Sequence, residues 1–229
     1  PQQLLSTNVD QALLMFSIKQ PFTPLSFVDK FLVMAEAFHI PVTLLLTKVD
    51  LLTRKQDLQK LQDYTDTYTR IGYAVNAVNT LAPETEILAI RLLQDKISFL
   101  GGLSGAGKSS FVNAAAPELE LRTQPLSKST GKGRHTTTYA QLYPLPFGGG
   151  VIDAPGFREF DLTEVAPEEL SHYYPEMRAR LQACRFHNCT HTQEPDCGIK
   201  EAVAAGEIAQ TRYHTYFNLF HTLQAEHAD

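Results

Sequence analysis

Gly102-Leu103-Ser104-Gly105-Ala106-Gly107-Lys108-Ser109 is the stretch that decides the fold. It fits the pattern GxxxxGK[ST]. Apolar residues 97–100 before it read as a strand, and residues 108–116 after it read as a helix. Glycines in such a turn let backbone N–H groups converge on phosphate oxygens without Cβ clashes. The helix that follows adds partial positive charge at its N-terminus. In that context Lys108 is expected to bridge the β- and γ-phosphates of a nucleotide, and Ser109 to ligate Mg²⁺.

Outward from this turn the chain alternates in type. Strands are expected at residues 12–16, 42–46, 73–75, 139–143 and 150–152, and helices at 24–38, 55–68 and 83–94. Such alternation implies a parallel or mixed sheet covered on both faces. Beyond about Leu162 the strands stop. Residues 167–181 read as one or two helices, 184–197 as a compact loop and 199–227 as helical. The expected organisation is therefore an α/β domain over 1–162 and a small, mostly helical domain over 163–229.

Thr47-Lys48-Val49-Asp50 sits at the end of the 42–46 strand and resembles the guanine-specificity motif NKxD. A carboxylate there can accept hydrogen bonds from the guanine N1–H and exocyclic amine, a donor pair that adenine lacks. The Lys48 stem can cover the base plane. Thr47 stands where the usual Asn ties this loop to the phosphate loop, so weaker nucleotide affinity is expected. Asn76-Ala77 is read as following the next strand, where a Ser-Ala pair normally contacts the guanine carbonyl.

Asp153-Ala-Pro-Gly156 matches DxxG. Asp153 is expected to hold Mg²⁺ through water, and the Gly156 N–H to reach the γ-phosphate. The residue after the glycine is Phe157, which cannot orient water, so slow intrinsic hydrolysis is expected. The polar segment 127–138 reads as a loop whose threonines, Thr136 and Thr137 among them, can reach Mg²⁺ and the γ-phosphate. His135 is the local group best suited to orient water or act as a base. Lys128, Lys132 and Arg134 form a basic cluster that could meet RNA phosphates or simply be solvated.

The 229 residues carry a net charge of −5, so the chain as a whole does not have a nucleic-acid binder's balance. No apolar run is long enough to span a bilayer. The chain begins with Pro1, not Met, and is expected to be a fragment or processed form. Its three cysteines are clustered, and Cys184-x4-Cys189-x-His191-x5-Cys197 offers the Cys₃His makeup of closed structural zinc sites. His187 is a rival to His191. With all four positions filled by protein, one structural Zn²⁺ that takes no part in catalysis is expected.

The motif order is TKVD, Asn-Ala, P-loop, GRHTT, DAPG, whereas a conventional GTPase begins with the P-loop. This is a circular permutation, and loops at strand ends can still converge whatever their order. The permuted order, together with GxSGxGKSS ending at Ser110, GRHTTT, DxPGxRE and the cysteine cluster, resembles the RsgA (YjeQ/EngC) family of circularly permuted GTPases. Asn8-Val9-Asp10 and Asp29-Lys30-Phe31-Leu32 also resemble its N-terminal G-domain segments. The resemblance implies a P-loop NTPase fold and a GTP- and GDP-binding enzyme of the cytoplasm. It implies a late assembly factor acting on the small ribosomal subunit and its rRNA, stimulated by that subunit. It favours His191 as the fourth metal ligand and gives the metal-bearing region a part in ribosome docking. The family usually carries an OB-fold domain ahead of the GTPase domain, and its absence here would fit a truncated chain. A monomer with no membrane association is expected. Two other classes stand beside this one: a GTP-binding scaffold with negligible turnover, and a P-loop kinase of a small molecule.

Overall fold

The computed structural model describes residues 9–119, 121, 141–153, 162 and 165–227. Contacts divide the chain into two units. One comprises Pro1–Thr23 with Ile40–Glu159, the other Pro24–His39 with Phe160–Asp229.

The first unit is built on a six-stranded sheet of β1 (Gln11–Phe16), β2 (Val42–Thr47), β3 (Ala74–Val78), β4 (Ile97–Gly101), β5 (Gln141–Pro144) and β6 (Gly150–Asp153). Their order across the sheet is β3-β2-β1-β4-β6-β5. All pairings are parallel except β5 with β6. Every residue of β1 is buried, as expected of a central strand covered on both faces. Alternate residues serve opposite faces. Leu13 and Met15 join Leu45, Leu100 and Val151 in a core with Leu93, Phe111 and Val112. The last three come from helices α3 (Glu84–Leu93) and α4 (Lys108–Ala115). Phe16, of the other parity, meets the edge of Tyr68 at 6.2 Å between ring centroids. Tyr68 lies on α2 (Lys55–Ile71), which ends at Gly72 in the left-handed conformation.

The parallel pairings bring the ends of β1, β2, β3 and β4 to one edge of the sheet. Phe16 is level with Leu46, Thr47 with Val78, and Gly101 with Leu14. Binding crevices of open α/β sheets lie outside these carboxyl ends.

Strand β3 runs further than composition suggested. It pairs with β2 from Ala74 to Val78, so Asn76 and Ala77 lie inside the strand, opposite Leu45 and Leu46. The ladder with β2 sets where the strand ends, and buried Val78 closes it.

The second unit contains α1 (Leu25–Ala37), α5 (Pro175–Arg178), α6 (Gly198–Ala204) and α7 (Gln210–Glu226), with a 3₁₀ segment over Pro167–Tyr173. Pro175 forces Tyr174 into an extended conformation, φ −107° and ψ 102°, which separates the 3₁₀ turn from α5. Gly206, at φ 74°, breaks the helical stretch expected over 199–227 into α6 and α7. Arg212 lies at the centre of this unit, 1% exposed. Its Nη1 is 2.5 Å from Asp29 Oδ1 of α1, and its Nε is 2.7 Å from Glu176 Oε1 of α5. The Tyr174 ring stacks 4.4 Å from the guanidinium. Helix α1 therefore joins a unit whose other members lie more than 120 residues away along the chain. Among the described residues no helix is long and apolar enough to cross a membrane.

Candidate functional site

The turn from β4 into α4 has the geometry its glycines suggest. Gly102 has φ 138°, and a Cβ there would stand 2.4 Å from the Met15 carbonyl oxygen of β1. Only glycine allows the chain to leave β4 so close to its neighbour. Gly107 has φ 98° at the start of α4, and a Cβ there would lie 3.2 Å from Thr80 Cγ2. Lys108 folds back over the loop, its Nζ donating to the carbonyls of Gly102 at 2.8 Å and Leu103 at 3.2 Å. Ser104 and Gly105 are exposed at the tip, and Ser109 and Ser110 are half-buried in the first turn of α4.

Thr47 ends β2 and is 2% exposed. Its hydroxyl is 2.8 Å from the Ala106 carbonyl oxygen and 3.3 Å from that of Phe16. The bond to Ala106 links residues 59 positions apart. The Thr47 hydroxyl therefore ties this loop to the phosphate loop at the position where the usual motif carries Asn. At the end of a parallel strand next to β1, the short hydroxyl already lies within reach of the Ala106 carbonyl. Lys48 follows at φ 58°. Its ammonium donates to the carbonyl of Gln20, in the loop after β1. Asp50 is exposed in the 3₁₀ turn Val49–Leu51, so its carboxylate is open to a ligand.

The residues that leave β3 at the shared edge are Asn79 and Thr80, not Asn76 and Ala77. Asn79 Oδ1 accepts from the Leu81 N–H at 3.1 Å, forming a side-chain-closed turn. Thr80 is buried against Gly107. The sequence signal was present, since Asn-Thr just before Leu81-Ala-Pro is turn chemistry, but a strand placed three residues short concealed it. Two more residues went unsignalled. Lys19 forms an ion pair with Asp57 of α2 at 2.5 Å, and Gln20 accepts from Lys48. The Lys19 hydrogen bond holds the Asp57 carboxyl below the usual carboxylate range.

Asp153 ends β6, level with Leu100 of β4. Gly156, Phe157, Lys128, Lys132, Arg134, His135, Thr136 and Thr137 lie outside the described residues.

In the second unit Cys184, Cys189, His191 and Cys197 converge, their ligand atoms all within 4.8 Å of one another. Cys184 Sγ is 3.9 Å from Cys197 Sγ, and His191 Nδ1 is 3.5 and 3.4 Å from these two sulfurs. A tetrahedron with Zn–S of about 2.3 Å and Zn–N of about 2.0 Å has edges of about 3.8 Å between sulfurs and about 3.5 Å from sulfur to nitrogen. The donor set fits that ion. Burial pushes the Cys189 thiol up to about 12 and raises Cys197 as well. Burial also lowers His191, which keeps the imidazole neutral. Thiols that resist ionising on their own, beside a neutral imidazole, suit a dication that deprotonates them on binding. His187 is exposed and outside the cluster.

The loop is held from two sides. Tyr213 and Tyr216 of α7 donate to the carbonyls of His191 at 2.7 Å and Thr190 at 2.8 Å. Glu194 accepts from the Thr190 hydroxyl and N–H, both at 2.6 Å, and from the Thr192 N–H at 3.0 Å. Burial raises the Glu194 carboxyl, but these bonds outweigh it and bring it down to about 2.

The profile of the RsgA GTPase family matches residues 1–163. The small ribosomal subunit biogenesis GTPase RsgA of Halalkalibacterium halodurans is 44% identical over 223 residues, covering 96% of this chain and 74% of its own. Among solved structures, YjeQ from Thermotoga maritima superposes with a TM-score of 0.81 at 39% identity, over 95% of this chain and 72% of that one. YloQ, described as a circularly permuted GTPase, gives 0.78 at 33% identity, over 96% and 69%.

Proposed function

The chain belongs to the RsgA GTPase family and is a GTP hydrolase, and on that premise we propose that it acts as a Mg²⁺-dependent switch on the maturing small ribosomal subunit, which stimulates its turnover. Family membership displaces the two other readings, a scaffold without turnover and a small-molecule kinase. The observation that carries the proposal is the hydrogen bond from Thr47 to the Ala106 carbonyl. It joins the base-reading loop to the phosphate loop even though the motifs occur in permuted order.

In this reading Asp50 accepts from the guanine N1–H and amine, the Lys48 stem lies against the base, and Val49 shapes the turn between them. The turn at Asn79 and Thr80 takes the place first given to Asn76 and Ala77. Backbone N–H groups from Gly102 to Ser110 surround the phosphates. On nucleotide binding Lys108 exchanges its two carbonyl partners for phosphate oxygens, so the loop is charged and ordered beforehand. Ser109, Thr137 and Asp153 would hold Mg²⁺, whose chemistry is to neutralise charge on the β- and γ-phosphates. Thr136 and Gly156 are assigned to the γ-phosphate, and His135 to the attacking water.

Cys184, Cys189, His191 and Cys197 would hold one structural Zn²⁺, which would cross-link the irregular loop between α5 and α6. The division into a nucleotide-binding domain over 1–162 and a metal-binding domain over 163–229 belongs to the same proposal, with Pro24–His39 grouped with the second of these. So do a cytoplasmic location, a monomeric state and rRNA contact through Lys128, Lys132 and Arg134.

The test is GTP hydrolysis with and without small subunits, for the wild type and for His135→Ala, with nucleotide binding measured separately. Stimulated turnover that falls about 10²-fold or more in the variant, at unchanged GTP affinity, is the expected result. Turnover indifferent to the subunit would overturn the switch, and full stimulation of His135→Ala would remove that residue from the chemistry.

A further inference from the structure

The loop from Ser17 to Thr23 belongs to no nucleotide-binding motif, yet it is tightly built. Ser17 and Thr23 are each 1% exposed. Thr23 N–H donates to the Ser17 carbonyl at 2.9 Å, and Ser17 N–H to the Thr23 hydroxyl at 3.2 Å. The Lys19 N–H donates to Ser17 Oγ at 3.2 Å. The two residues presented by this clasp, Lys19 and Gln20, both meet the base-reading loop. The Gln20 carbonyl accepts the Lys48 ammonium. Lys19 Nζ reaches the Leu51 carbonyl at 3.5 Å, next in sequence to Asp50, while its ion pair with Asp57 Oδ2 at 2.5 Å anchors it to the first turn of α2.

Backbone conformation supports the assignment independently. Gln20 at φ 41° and Lys48 at φ 58° both occupy the left-handed region, which is unfavourable for residues with a Cβ. Such conformations persist where the surroundings over-determine them, and they cluster at ligand clamps. Here the two meet each other. Without the clasp, a lysine on a left-handed residue and a carboxylate on a single 3₁₀ turn would sample many positions. Ordering them would then be charged against nucleotide binding.

We propose that Lys19 is a positioning residue for guanine recognition: anchored on Asp57, it braces the turn that carries Asp50, while its neighbour Gln20 fixes Lys48. The inference rests on the guanine-nucleotide reading of the site and extends it to a loop outside every nucleotide-binding motif. Because the brace lies on the base side, its loss weakens recognition of the base and spares the phosphate loop.

The experiment compares wild type, Lys19→Met and Lys19→Arg by calorimetric titration with GTP and with inorganic tripolyphosphate, which has no base. Steady-state turnover is measured in parallel. Lys19→Met keeps the length of the stem and removes the charge and donors. It is expected to weaken GTP binding about tenfold, tripolyphosphate binding less than about twofold, and to raise KM with little change in kcat. Lys19→Arg, which can still span Asp57 and the Leu51 carbonyl, is expected to restore GTP affinity to within about threefold. Equal losses for GTP and tripolyphosphate would show a merely structural role and overturn the proposal, as would unchanged GTP affinity in Lys19→Met. A wild type that binds tripolyphosphate but shows no preference for GTP would instead overturn the guanine reading beneath it.

Discussion

The two candidate sites are assembled in opposite ways. The nucleotide site draws on residues scattered from Lys19 to Asp153, and Thr47 reaches Ala106 across 59 positions. The Cys₃His cluster lies within 14 consecutive residues, from Cys184 to Cys197. A parallel sheet does the gathering in the first case. Strand ends meet at one edge because the ladder fixes their register, and that register holds whatever the order of the strands in the chain. In the second case no sheet is present among the described residues, and a short loop converges four donors on a point. Permuting the chain is therefore compatible with the first site, whereas any insertion between the ligands would disrupt the second.

This contrast predicts where each site is weakest. The largest effect is expected from Cys197→Ser or from a chelator. Structural zinc contributes about 10 kcal/mol or more to the folding of small metal domains. Purified protein is expected to carry about one zinc per chain, and its removal to abolish the helical ellipticity of α6 and α7. A metal-free chain that keeps that ellipticity would show that the helices hold the loop unaided.

Long-range pairing also holds the second unit, chiefly through the buried Asp29–Arg212–Glu176 cluster. Asp29→Ala leaves the buried guanidinium with one of its two carboxylates gone. Breaking a buried pair costs about 3–5 kcal/mol, read as a lower urea midpoint for the unit. Replacing Asp29 and Arg212 together by Leu and Met is expected to recover much of that loss, because the penalty is mainly that of a stranded charge.

Thr47→Val sharpens the comparison from the other side, at the smallest cost. It keeps the shape and removes the hydroxyl that joins the base loop to Ala106. The loss is expected to be about 1–2 kcal/mol, seen as GTP binding about tenfold weaker and a small fall in thermal midpoint. Thr47→Asn, which supplies a donor amide at the same place, is expected to do better than Val.

What the sequence made legible follows the same division. The phosphate loop could be read because its chemistry is local: the glycines, the lysine and the flanking strand and helix are contiguous. The Cys₃His cluster could be read for the same reason. The resemblance of the permuted motifs as a set supplied the family. Long-range pairing hid the remainder. The end of β3 is set by its ladder with Thr43–Thr47, so Asn76 and Ala77 were placed outside a strand that contains them. Thr47 departs from the usual motif, and nothing local said that its hydroxyl lies within reach of Ala106. The partnership of Asp29 with Arg212 spans 183 positions, and it sets α1 in a unit with the C-terminal helices. Lys19 and Gln20 sit in a loop whose composition marks only a turn.

The central claim is that the Thr47–Asp50 loop and the Gly102–Ser109 loop grip opposite ends of one guanine nucleotide. It is tested most directly by nucleotide titration of Asp50→Asn against Lys108→Ala. Xanthine carries a carbonyl where guanine has its amine, so an amide at position 50 is expected to lose about 10²-fold or more for GTP and to gain affinity for xanthosine triphosphate. Lys108→Ala is expected to weaken both nucleotides alike. An Asp50→Asn variant that binds the two nucleotides in the same ratio as the wild type would contradict the account, because the carboxylate would then not be reading the base.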